Sequence, residues 1–251
     1  MSRGFYTLTS AMLTQQRKIE ITSNNIANFN TAGYKKQEAV TTTFGSILIN
    51  KLQQNGIYES STPLSTQSFI RIADDNNIIH SQGTFDTTGF KTDFALVGNG
   101  FFGVRNPNTD EIRYSRDGSF NIDQEGYLIQ GDNGRVQGEF GDVFLGTDKF
   151  ETDNEGRLFV EGEEIDKIMV YDFEDYADID SVEEGLFNSN ADPIEVDNPK
   201  ILNGVIERSN VDLTDEMTDY MSSQRALQSA SQIMKMYDRV ASSAVNKIGN
   251  V

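Results

Sequence analysis

The two ends of the chain carry matching helical stripes, whereas the residues between them show the short apolar runs of β-strands. Members of each stripe are spaced alternately three and four residues apart, which places them on one side of a helix. The first stripe consists of Phe5, Leu8, Met12, Gln15, Ile19, Thr22 and Ile26. The second consists of Leu213, Met217, Tyr220, Gln224, Leu227, Ser231, Met234, Asp238, Ala241, Val245 and Ile248. Helices of this length are marginally stable alone, so we expect the two stripes to pack against each other, antiparallel.

These features predict an α+β protein. The N- and C-terminal helices are expected to pair as a discontinuous coiled-coil domain, beside a central all-β domain of short strands and hairpins. The predicted segments are an N-terminal assembly helix over 1–33, an extended linker over 34–69, the β-domain over 70–201 and a C-terminal assembly helix over 202–251. A second apolar face on the last helix implies more than one neighbour, and it is formed by Ala226, Ala230, Ile233, Tyr237, Val240 and Ala244.

Local signals set the ends of both helices. The first helix is expected to end between Ser23 and Gly33, because Asn residues there compete for backbone hydrogen bonds and Gly33 readily adopts a left-handed conformation. The last helix is expected to begin after Ser209, Asn210 or Asp212, each of which is a plausible N-cap.

The charge is unevenly distributed along the chain. The formal net charge is -18. Residues 55–199 have a net charge of -22, residues 1–54 have +4, and residues 200–251 are neutral. Such a distribution indicates that the ends pack against other protein segments and that the acidic middle faces solvent. An acidic middle also argues against a nucleic-acid partner, whose phosphates need a basic surface.

Several kinds of site lack the residues they require. Cysteine is absent and His80 is the single histidine, which excludes disulfides and thiolate metal sites and leaves little for zinc or a histidine base. His80 is expected to be a hydrogen-bonded structural residue. No apolar run is long enough to cross a bilayer, and a Sec-type signal peptide is not expected. The sequence predicts no cofactor, no metal, no catalytic residues and no small-molecule substrate.

The middle of the chain contains short strand signals and one internal repeat. Strands are predicted over 94–97, 101–104, 119–122, 127–129, 158–160 and 168–173, separated by turns rich in Gly, Asp and Asn. The stretch from Phe120 to Leu128 recurs from Phe150 to Leu158, which predicts two hairpins built alike.

The repeat also suggests calcium, because Asn121, Asp123 and Glu125 resemble the opening of an EF-hand loop. The bidentate glutamate of such a loop is missing, since Asp132 and Gly162 occupy its two positions. A turn in which the aspartate accepts hydrogen bonds from its own backbone explains both copies and is favoured. Weak metal binding at Asp123 and Glu125, or at Asp153 and Glu155, stays open.

Two other patterns are superficially catalytic. The acidic clusters that could supply a glycosidase carboxylate pair are Glu161, Glu163, Glu164 and Asp166, and then Asp172, Glu174, Asp175, Asp178 and Asp180. Tryptophan, the usual sugar platform, is absent, and charge runs are more typical of a solvated surface. Residues 98–103 resemble a phosphate loop but lack its Lys-Ser/Thr and its helix, so they are better interpreted as a strand junction with a buried phenylalanine.

Four blocks of sequence resemble one protein family. Residues 23–28 (Ser-Asn-Asn-Ile-Ala-Asn) and 31–35 (Thr-Ala-Gly-Tyr-Lys) resemble the signature of flagellar basal-body rod and hook proteins, usually Ala-Asn-Asn-Leu-Ala-Asn followed by Thr-x-Gly-Phe-Lys. Residues 81–102 resemble the stretch that enters the β-domain of the family, and 114–120 its Tyr-Thr-Arg-x-Gly-x-Phe motif. Residues 204–226 resemble the block that opens its C-terminal helix. Tyr34 and Ser115 replace the commoner Phe and Thr.

The resemblance implies a non-enzymatic structural subunit of the bacterial flagellar rod, part of the motility drive shaft in the cell envelope. Such subunits are exported by the flagellar type III apparatus and polymerise helically with copies of themselves and other rod subunits. The segment from Gly45 to His80 is short and lacks a Gly-x-Gly-Val stretch, which favours a proximal, FlgF-like position over a distal, FlgG-like one. The alternatives are a secreted wall-active glycoside hydrolase or sugar-binding protein, and a hook or hook-associated protein.

The resemblance and the stripes together nominate two sets of functional residues. The predicted assembly interface is Phe5, Leu8, Met12, Ile19, Ile26, Leu213, Met217, Tyr220, Leu227, Met234, Ala241, Val245 and Ile248. The residues carried over from the family motifs are Asn24, Asn25, Ala27, Asn28, Gly33, Tyr34, Ser209, Asn210, Val211, Gln224 and Arg225.

Overall fold

The computed structural model describes residues 2–43, 71–107, 109–147, 149–176, 179–183, 185–189 and 191–248. The part of the predicted linker from 44 to 69 lies outside these residues. The chain divides into two compact units, which we call the helical unit (Met1–Ala27, Gln37–Ile79 and Asp212–Val251) and the β unit (Asn28–Lys36 and His80–Val211). A helix at each end of the chain and strands between them confirm the α+β class predicted from the sequence.

The helical unit contains two long helices and a two-stranded ribbon. Its helices are α1 (Ser2–Ala27) and α2 (Leu213–Ile248). Its strands, β1 (Gln37–Thr43) and β2 (Arg71–Ile78), pair antiparallel, and α1 contacts both strands as well as α2. The pairing of β1 was not predicted, because its threonine-rich sequence has no alternation of apolar residues. Threonine nevertheless favours strands through its branched Cβ.

Both inner helix ends follow local chemistry. Helix α1 ends at Ala27, within the predicted interval. Of the three candidate caps for α2, the structure selects Asp212, whose Oδ1 accepts hydrogen bonds from the backbone N–H groups of Thr214 (2.8 Å) and Asp215 (3.3 Å). Neither helix, over its described residues, is long and apolar enough to cross a membrane.

The β unit consists of short strands. They are β3 (Phe85–Thr87), β4 (Phe94–Val97), β5 (Phe101–Arg105), β6 (Ile112–Ser115), β7 (Asn121–Ile122), β8 (Leu128–Gln130), β9 (Gly134–Gly138), β10 (Gly141–Asp142), β11 (Phe150–Thr152), β12 (Arg157–Val160), β13 (Glu163–Lys167), β14 (Val170–Asp172), β15 (Ile179–Glu183), β16 (Leu186–Ser189), β17 (Ile194–Glu195), β18 (Lys200–Asn203) and β19 (Val205–Glu207). The largest sheet has the order β15-β16-β6-β5-β9-β8-β7, with β10 on β9 and with β14 joining β5 to β17. Smaller sheets are formed by β11-β12-β13, β18-β4 and β19-β3.

The internal repeat forms two hairpins built alike, as predicted. In each, the aspartate N–H donates to a carbonyl four residues later, and the glycine N–H donates back to the aspartate carbonyl: Asp123 with Tyr127 and Gly126, and Asp153 with Arg157 and Gly156. The apolar residues that flank each turn occupy the main core, where Phe120, Leu128, Phe150 and Leu158 are at most 1% exposed. The repeat is therefore a unit of packing as well as of turn geometry.

Strand β5 carries apolar side chains on both faces. Phe102 lies in the main core, edge-to-face with Phe120 at 5.1 Å between ring centroids. Phe101, one residue earlier, points to the other face and meets Phe187 at 5.4 Å. The preceding turn is a strand junction with a buried phenylalanine, as the sequence indicated for residues 98–103.

We predict that Gly33→Ala destabilises the β unit far more than Gly89→Ala. Both glycines have positive φ (69° and 77°), which costs an alanine about 1–2 kcal/mol. A Cβ on Gly33 would also lie 2.2 Å from the backbone nitrogen of Asp117, whereas a Cβ on Gly89 meets no atom within 4 Å. We expect a loss of about 3 kcal/mol or more for Gly33→Ala and about 1 kcal/mol for Gly89→Ala in denaturant unfolding. Equal losses would contradict the close approach of the Gly33 segment to Asp117.

Candidate assembly site

Helix α2 buries one face with strict alternation of three and four residues. Its most buried side chains are Glu216, Ser223 and Ala230, at 3%, 6% and 9% exposure. The partly buried side chains between them belong to Leu213, Tyr220, Leu227 and Met234. We call these seven residues the α2 seam. Their spacing is that of a heptad, which is the pattern of a helix packed against another helix.

Two contacts show that α1 and α2 run antiparallel. Near one end, Asn25 Nδ2 donates to Glu216 Oε2 at 3.1 Å. Near the other, a Cβ placed on Gly4 would lie 3.0 Å from the Tyr237 hydroxyl. The residue numbers of both pairs add to 241, so the helices keep one register over 21 residues, or about 32 Å.

Asn25 joins three elements of the helical unit. Its side chain is 1% exposed and donates both to Glu216 and to the Gln37 carbonyl (2.8 Å), and its Oδ1 accepts from the Gln37 N–H (3.0 Å). The amide thus fixes the start of β1 and the first turn of α2 to the last turns of α1. A buried amide needs all of these partners, because an unpaired one costs about 1–3 kcal/mol.

The buried face of α2 is rotated by part of a turn from the predicted stripe. Met217 is 50% exposed and Gln224 is exposed, while the preceding residues, Glu216 and Ser223, take the buried positions. Apolar periodicity favoured Met217, whereas the folded helix buries the carboxylate that Asn25 binds and a serine small enough for close helix contact. The other predicted members, Leu213, Tyr220, Leu227 and Met234, are partly buried. Side chains of Ala241, Val245 and Ile248 lie outside the described residues.

The buried sector of α1 is broad, because α1 packs on both α2 and the ribbon. Its most buried residues are Thr14, Ile21, Thr22 and Asn25. The predicted interface residues Leu8, Met12, Ile19 and Ile26 are partly buried beside them, and Phe5 is 42% exposed. A cavity of about 250 Å³ lies against this sector, lined by Thr7, Ser10, Ala11, Thr14, Gln15, Lys18 and Thr41. Packing around α1 is therefore polar and incomplete.

In the β unit, a buried network of three charges joins distant segments. The Glu207 side chain is fully buried between two cations, with Oε1 accepting from Lys35 Nζ at 2.7 Å and Oε2 from Arg116 Nε at 2.7 Å. Oε1 also accepts from the Gly83 N–H at 2.8 Å. Burial acts to raise the pKa of Glu207, but the charges of Arg116 and Lys35 outweigh it and hold this pKa below its usual value.

Both cations also donate to backbone carbonyls. Lys35 Nζ donates to the Ser81 carbonyl at 2.9 Å. The Arg116 guanidinium donates to the carbonyls of Leu96, within β4, and of Gly98 and Gly100, in the turn between β4 and β5. Arg116 therefore holds the strand junction as well as the carboxylate.

The backbone reinforces this network at the point where the N-terminal segment enters the β unit. Gly33 N–H donates to the Glu207 carbonyl at 2.9 Å, and the Lys36 N–H donates to Asn210 Oδ1 at 2.7 Å. Asn210 also donates to Ser81, and Tyr34, which follows Gly33 in the chain, is 6% exposed. The segments before β1 and before α2 are thus bound side by side within the β unit.

The structure gives most family-motif residues a structural role. Asn28 closes the turn after α1 by accepting from the Thr31 N–H and hydroxyl, both at 3.1 Å, and the Ser209 hydroxyl accepts from the Val211 N–H at 3.3 Å. Val211 is partly buried. The motif residues that are exposed in this chain are Asn24, Ala27, Gln224 and Arg225. The residues predicted to be functional did not include Lys35, Arg116 and Glu207, although each lies in a motif block. The charge of each residue within its motif was the feature that could have pointed to it.

His80 lies in an aromatic cluster, where its ring stacks on Tyr176 at 4.8 Å and meets Phe101 and Phe187 at 5.8 and 5.9 Å. Its buried Nδ1 has no hydrogen-bond partner among the described residues, so stacking replaces the hydrogen bond expected there. Burial, together with the positive charges of Lys35 and Arg116, lowers the pKa of His80 to about 4. The ring is therefore neutral at physiological pH.

The aspartates of the repeat behave as turn residues. Asp123 Oδ1 accepts from the N–H groups of Glu125 and Tyr127 at 2.9 and 2.8 Å, and Asp153 Oδ1 accepts from those of Glu155 and Arg157 at 2.9 and 3.0 Å. These bonds match the turn interpretation of both copies. Among the described residues, no group of three or more His, Asp or Glu side chains is arranged to hold a metal ion.

Comparison with known proteins shows three matching family models along the chain. The Flagella basal body rod protein model matches residues 5–35, the Flagellar hook protein FlgE/F/G D1 domain matches 95–170, and the Flagellar basal body rod FlgEFG protein C-terminal model matches 202–247. The chain belongs to the flagellar basal-body rod protein family. One member of the buried network lies in each matched segment: Lys35, Arg116 and Glu207.

Relatives match along nearly their whole length. The flagellar basal-body rod protein FlgG of Bacillus subtilis (strain 168) is 28% identical over 266 residues, which cover 98% of this chain and 99% of the relative. The flagellar hook-basal body complex protein FlhO of the same strain is 27% identical over 279 residues, with full coverage of both chains. The flagellar basal-body rod protein FlgF of Caulobacter vibrioides is 28% identical over 267 residues, also with full coverage. The protein is a structural subunit of the flagellar basal body, in a family of rod proteins and not of enzymes.

We predict that Glu207→Gln destabilises the β unit by about 3–5 kcal/mol, because it leaves two buried cations without a counter-charge. The matched control is Asp86→Asn, which removes one carboxylate charge from the exposed Arg208–Asp86 pair (2.8 Å, 49% and 44% exposed). The control should cost less than about 1 kcal/mol. Chemical unfolding of the full chain measures both values. A loss for Glu207→Gln no larger than the control loss would show that the network is not holding the unit together.

We predict that the stability of the protein falls between pH 6.5 and about 4 through His80. The folded-state pKa of His80 is depressed from 6.5 to about 4, so in this window the unfolded chain binds a proton that the folded chain does not. Folded-state stability must therefore decrease as the pH is lowered. His80→Phe, which suits the aromatic surroundings and does not titrate, should lose this component of the slope. Thermal unfolding of both variants at matched pH isolates it, and identical pH slopes would refute it.

Proposed function

We propose that this protein polymerises helically into the flagellar rod through its terminal helices and so forms part of the drive shaft. Its partners are copies of itself and other rod subunits, and it is exported by the flagellar type III apparatus. The observation that carries the proposal is the antiparallel contact of α1 and α2, in one register over 21 residues, on helices that keep large apolar side chains exposed.

The exposed apolar side chains lie away from the α2 seam. On α2, Met217 and Met221 are each 50% exposed, and Met236 and Val240 are 60% and 64% exposed. On α1, Tyr6 and Leu13, seven residues apart, are 64% and 61% exposed. Apolar faces of this kind on both members of a pair need further helices to cover them. We therefore propose that the pair is one element of a larger, discontinuous coiled coil that neighbouring subunits complete.

The division of the chain into two compact units supports separate roles for them. We propose that the terminal helices assemble and that the β unit forms a separate domain. The segments predicted from the sequence change accordingly, because β1 and β2 form a ribbon in the helical unit and residues 202–211 belong to the β unit. The charge pattern supports this arrangement, because the acidic middle favours solvent while the nearly neutral ends do not oppose close packing. A repeated contact between different surfaces of one subunit generates a helical stack when its rotation does not close a ring.

We propose no catalytic role and no small-molecule or nucleic-acid ligand. The buried carboxylates of the β unit are bound to structural partners: Asp166 Oδ1 accepts from the N–H groups of Glu139 and Lys167 at 3.0 and 2.7 Å, and Glu207 accepts from two cations. Carboxylates that act as acid and base need a free face toward substrate.

For the position in the rod, we propose the proximal one. The support is the short segment between Gly45 and His80 without a Gly-x-Gly-Val stretch. The FlgF and FlgG relatives are each 28% identical to this chain, so overall identity favours neither position.

We predict that the wild-type chain restores swimming to a strain that lacks its own proximal rod subunit and leaves a strain lacking the distal subunit non-motile.

Leu227→Asp should abolish the rescue, because an unpaired carboxylate in the α2 seam costs several kcal/mol. The control is Gln228→Asp, which makes the same charge change at the next, exposed position and should still restore swimming. Swim-plate halos and rod content of isolated basal bodies give the readouts. Rescue by Leu227→Asp equal to wild type would refute assembly through the seam, and rescue of the distal strain alone would refute the proximal position.

A further inference from the structure

Helix α2 carries two exposed pairs of like charge. Asp215 and Asp219 lie in its first two turns, and Lys235 and Arg239 lie near its other end. Each pair is separated by four residues, so its two side chains are neighbours on the helix surface. The four residues therefore form one acidic patch and one basic patch.

The patches are related by a simple offset along the helix. Lys235 follows Asp215 by twenty residues, as Arg239 follows Asp219, which is about 30 Å of helix and a rotation of roughly 200°. The patches consequently lie on opposite flanks of the α2 seam, and each is within about 120° of it. A helix whose seam is covered by α1 still presents both flanks.

Neither patch has an ion-pair partner among the described residues. In the part of the chain that the structure describes, none of the four side chains forms an ion pair, although Asp238 is three residues from Lys235. The turns that carry the basic patch also expose Met236 and Val240, at 60% and 64%. A partner that covers this region would bury apolar surface as well as pair charges.

We propose that the basic patch of one copy docks on the acidic patch of a second copy, with the two α2 helices parallel and offset by about 30 Å. The inference rests on the proposed function and names the contact through which copies join. Because the two patches differ and face opposite ways, every copy that uses its acidic patch leaves its basic patch free for the next. Because the contact also shifts each copy by about 30 Å along the helix, it repeats without closing and fixes the direction in which copies are added.

Charge reversal tests the proposal in the full-length protein. One variant carries Asp215→Lys with Asp219→Lys, and the other carries Lys235→Asp with Arg239→Asp. Either alone should lose swimming rescue in the strain lacking its proximal rod subunit, because like charges then meet at the contact. Expression of both variants together should restore swimming, since the reversed patch of each fits the reversed patch of the other. A single chain with all four changes should restore it too.

The control for net charge is Asp192→Lys with Asp197→Lys, which makes the same charge change at two exposed positions of the β unit and should rescue fully. If wild type rescues and each two-residue variant rescues equally well, the docking contact is wrong while the rod function stands. Failure of both the mixture and the four-residue variant, with wild type active, also overturns it. If wild type rescues no rod-deficient strain, the proposed function itself fails.

Discussion

A single buried carboxylate organises the β unit. Transfer of Glu207 from water to the interior costs several kcal/mol, and only the two cations and the Gly83 N–H make that position stable. Each partner is then fixed by further bonds, because Arg116 also donates to the carbonyls of Leu96 and Gly98 and Lys35 also donates to the Ser81 carbonyl. This one charge therefore positions the segment that follows α1 and the segment that precedes α2.

The helical unit is held by weaker means. Asn25 provides one polar junction, and the remaining seam of α2 alternates apolar side chains with Ser223 and Ala230. Small seam residues permit close approach but bury little apolar area. The β unit, by contrast, has phenylalanines and leucines at 0–1% exposure. The two units are thus built on different balances of forces, with a dense apolar core in the β unit and a seam of small and polar residues in the helical unit.

Local patterns predicted much of this fold. The helix ends near Ala27 and Asp212, the two hairpins of the repeat and the strand junction before Phe101 all follow from signals spanning a few residues. The actual seam of α2 was harder to predict, because apolar periodicity assigns weight to Met217 and none to Ser223, whereas close packing favours the smaller residue. The strand pairing of β1 with β2 was missed for a related reason, since its threonines carry no amphipathic pattern.

The sequence marks Lys35, Arg116 and Glu207 as charged residues within motif blocks, but it does not show that they form a network. Lys35 and Glu207 are separated by 172 residues, and no local rule connects them. Nothing in a single sequence shows which motif residues meet.

That separation also sets an order of events during synthesis. The chain places one cation near its start, the second near its middle and the carboxylate only at position 207. Until Glu207 leaves the ribosome, burial of Lys35 and Arg116 would bring two like charges together without an anion, which is unfavourable. Closure of a loop this long is also slow. The emerging chain therefore cannot complete this charge network before residue 207 is made, and β19, the last strand, supplies its only anion.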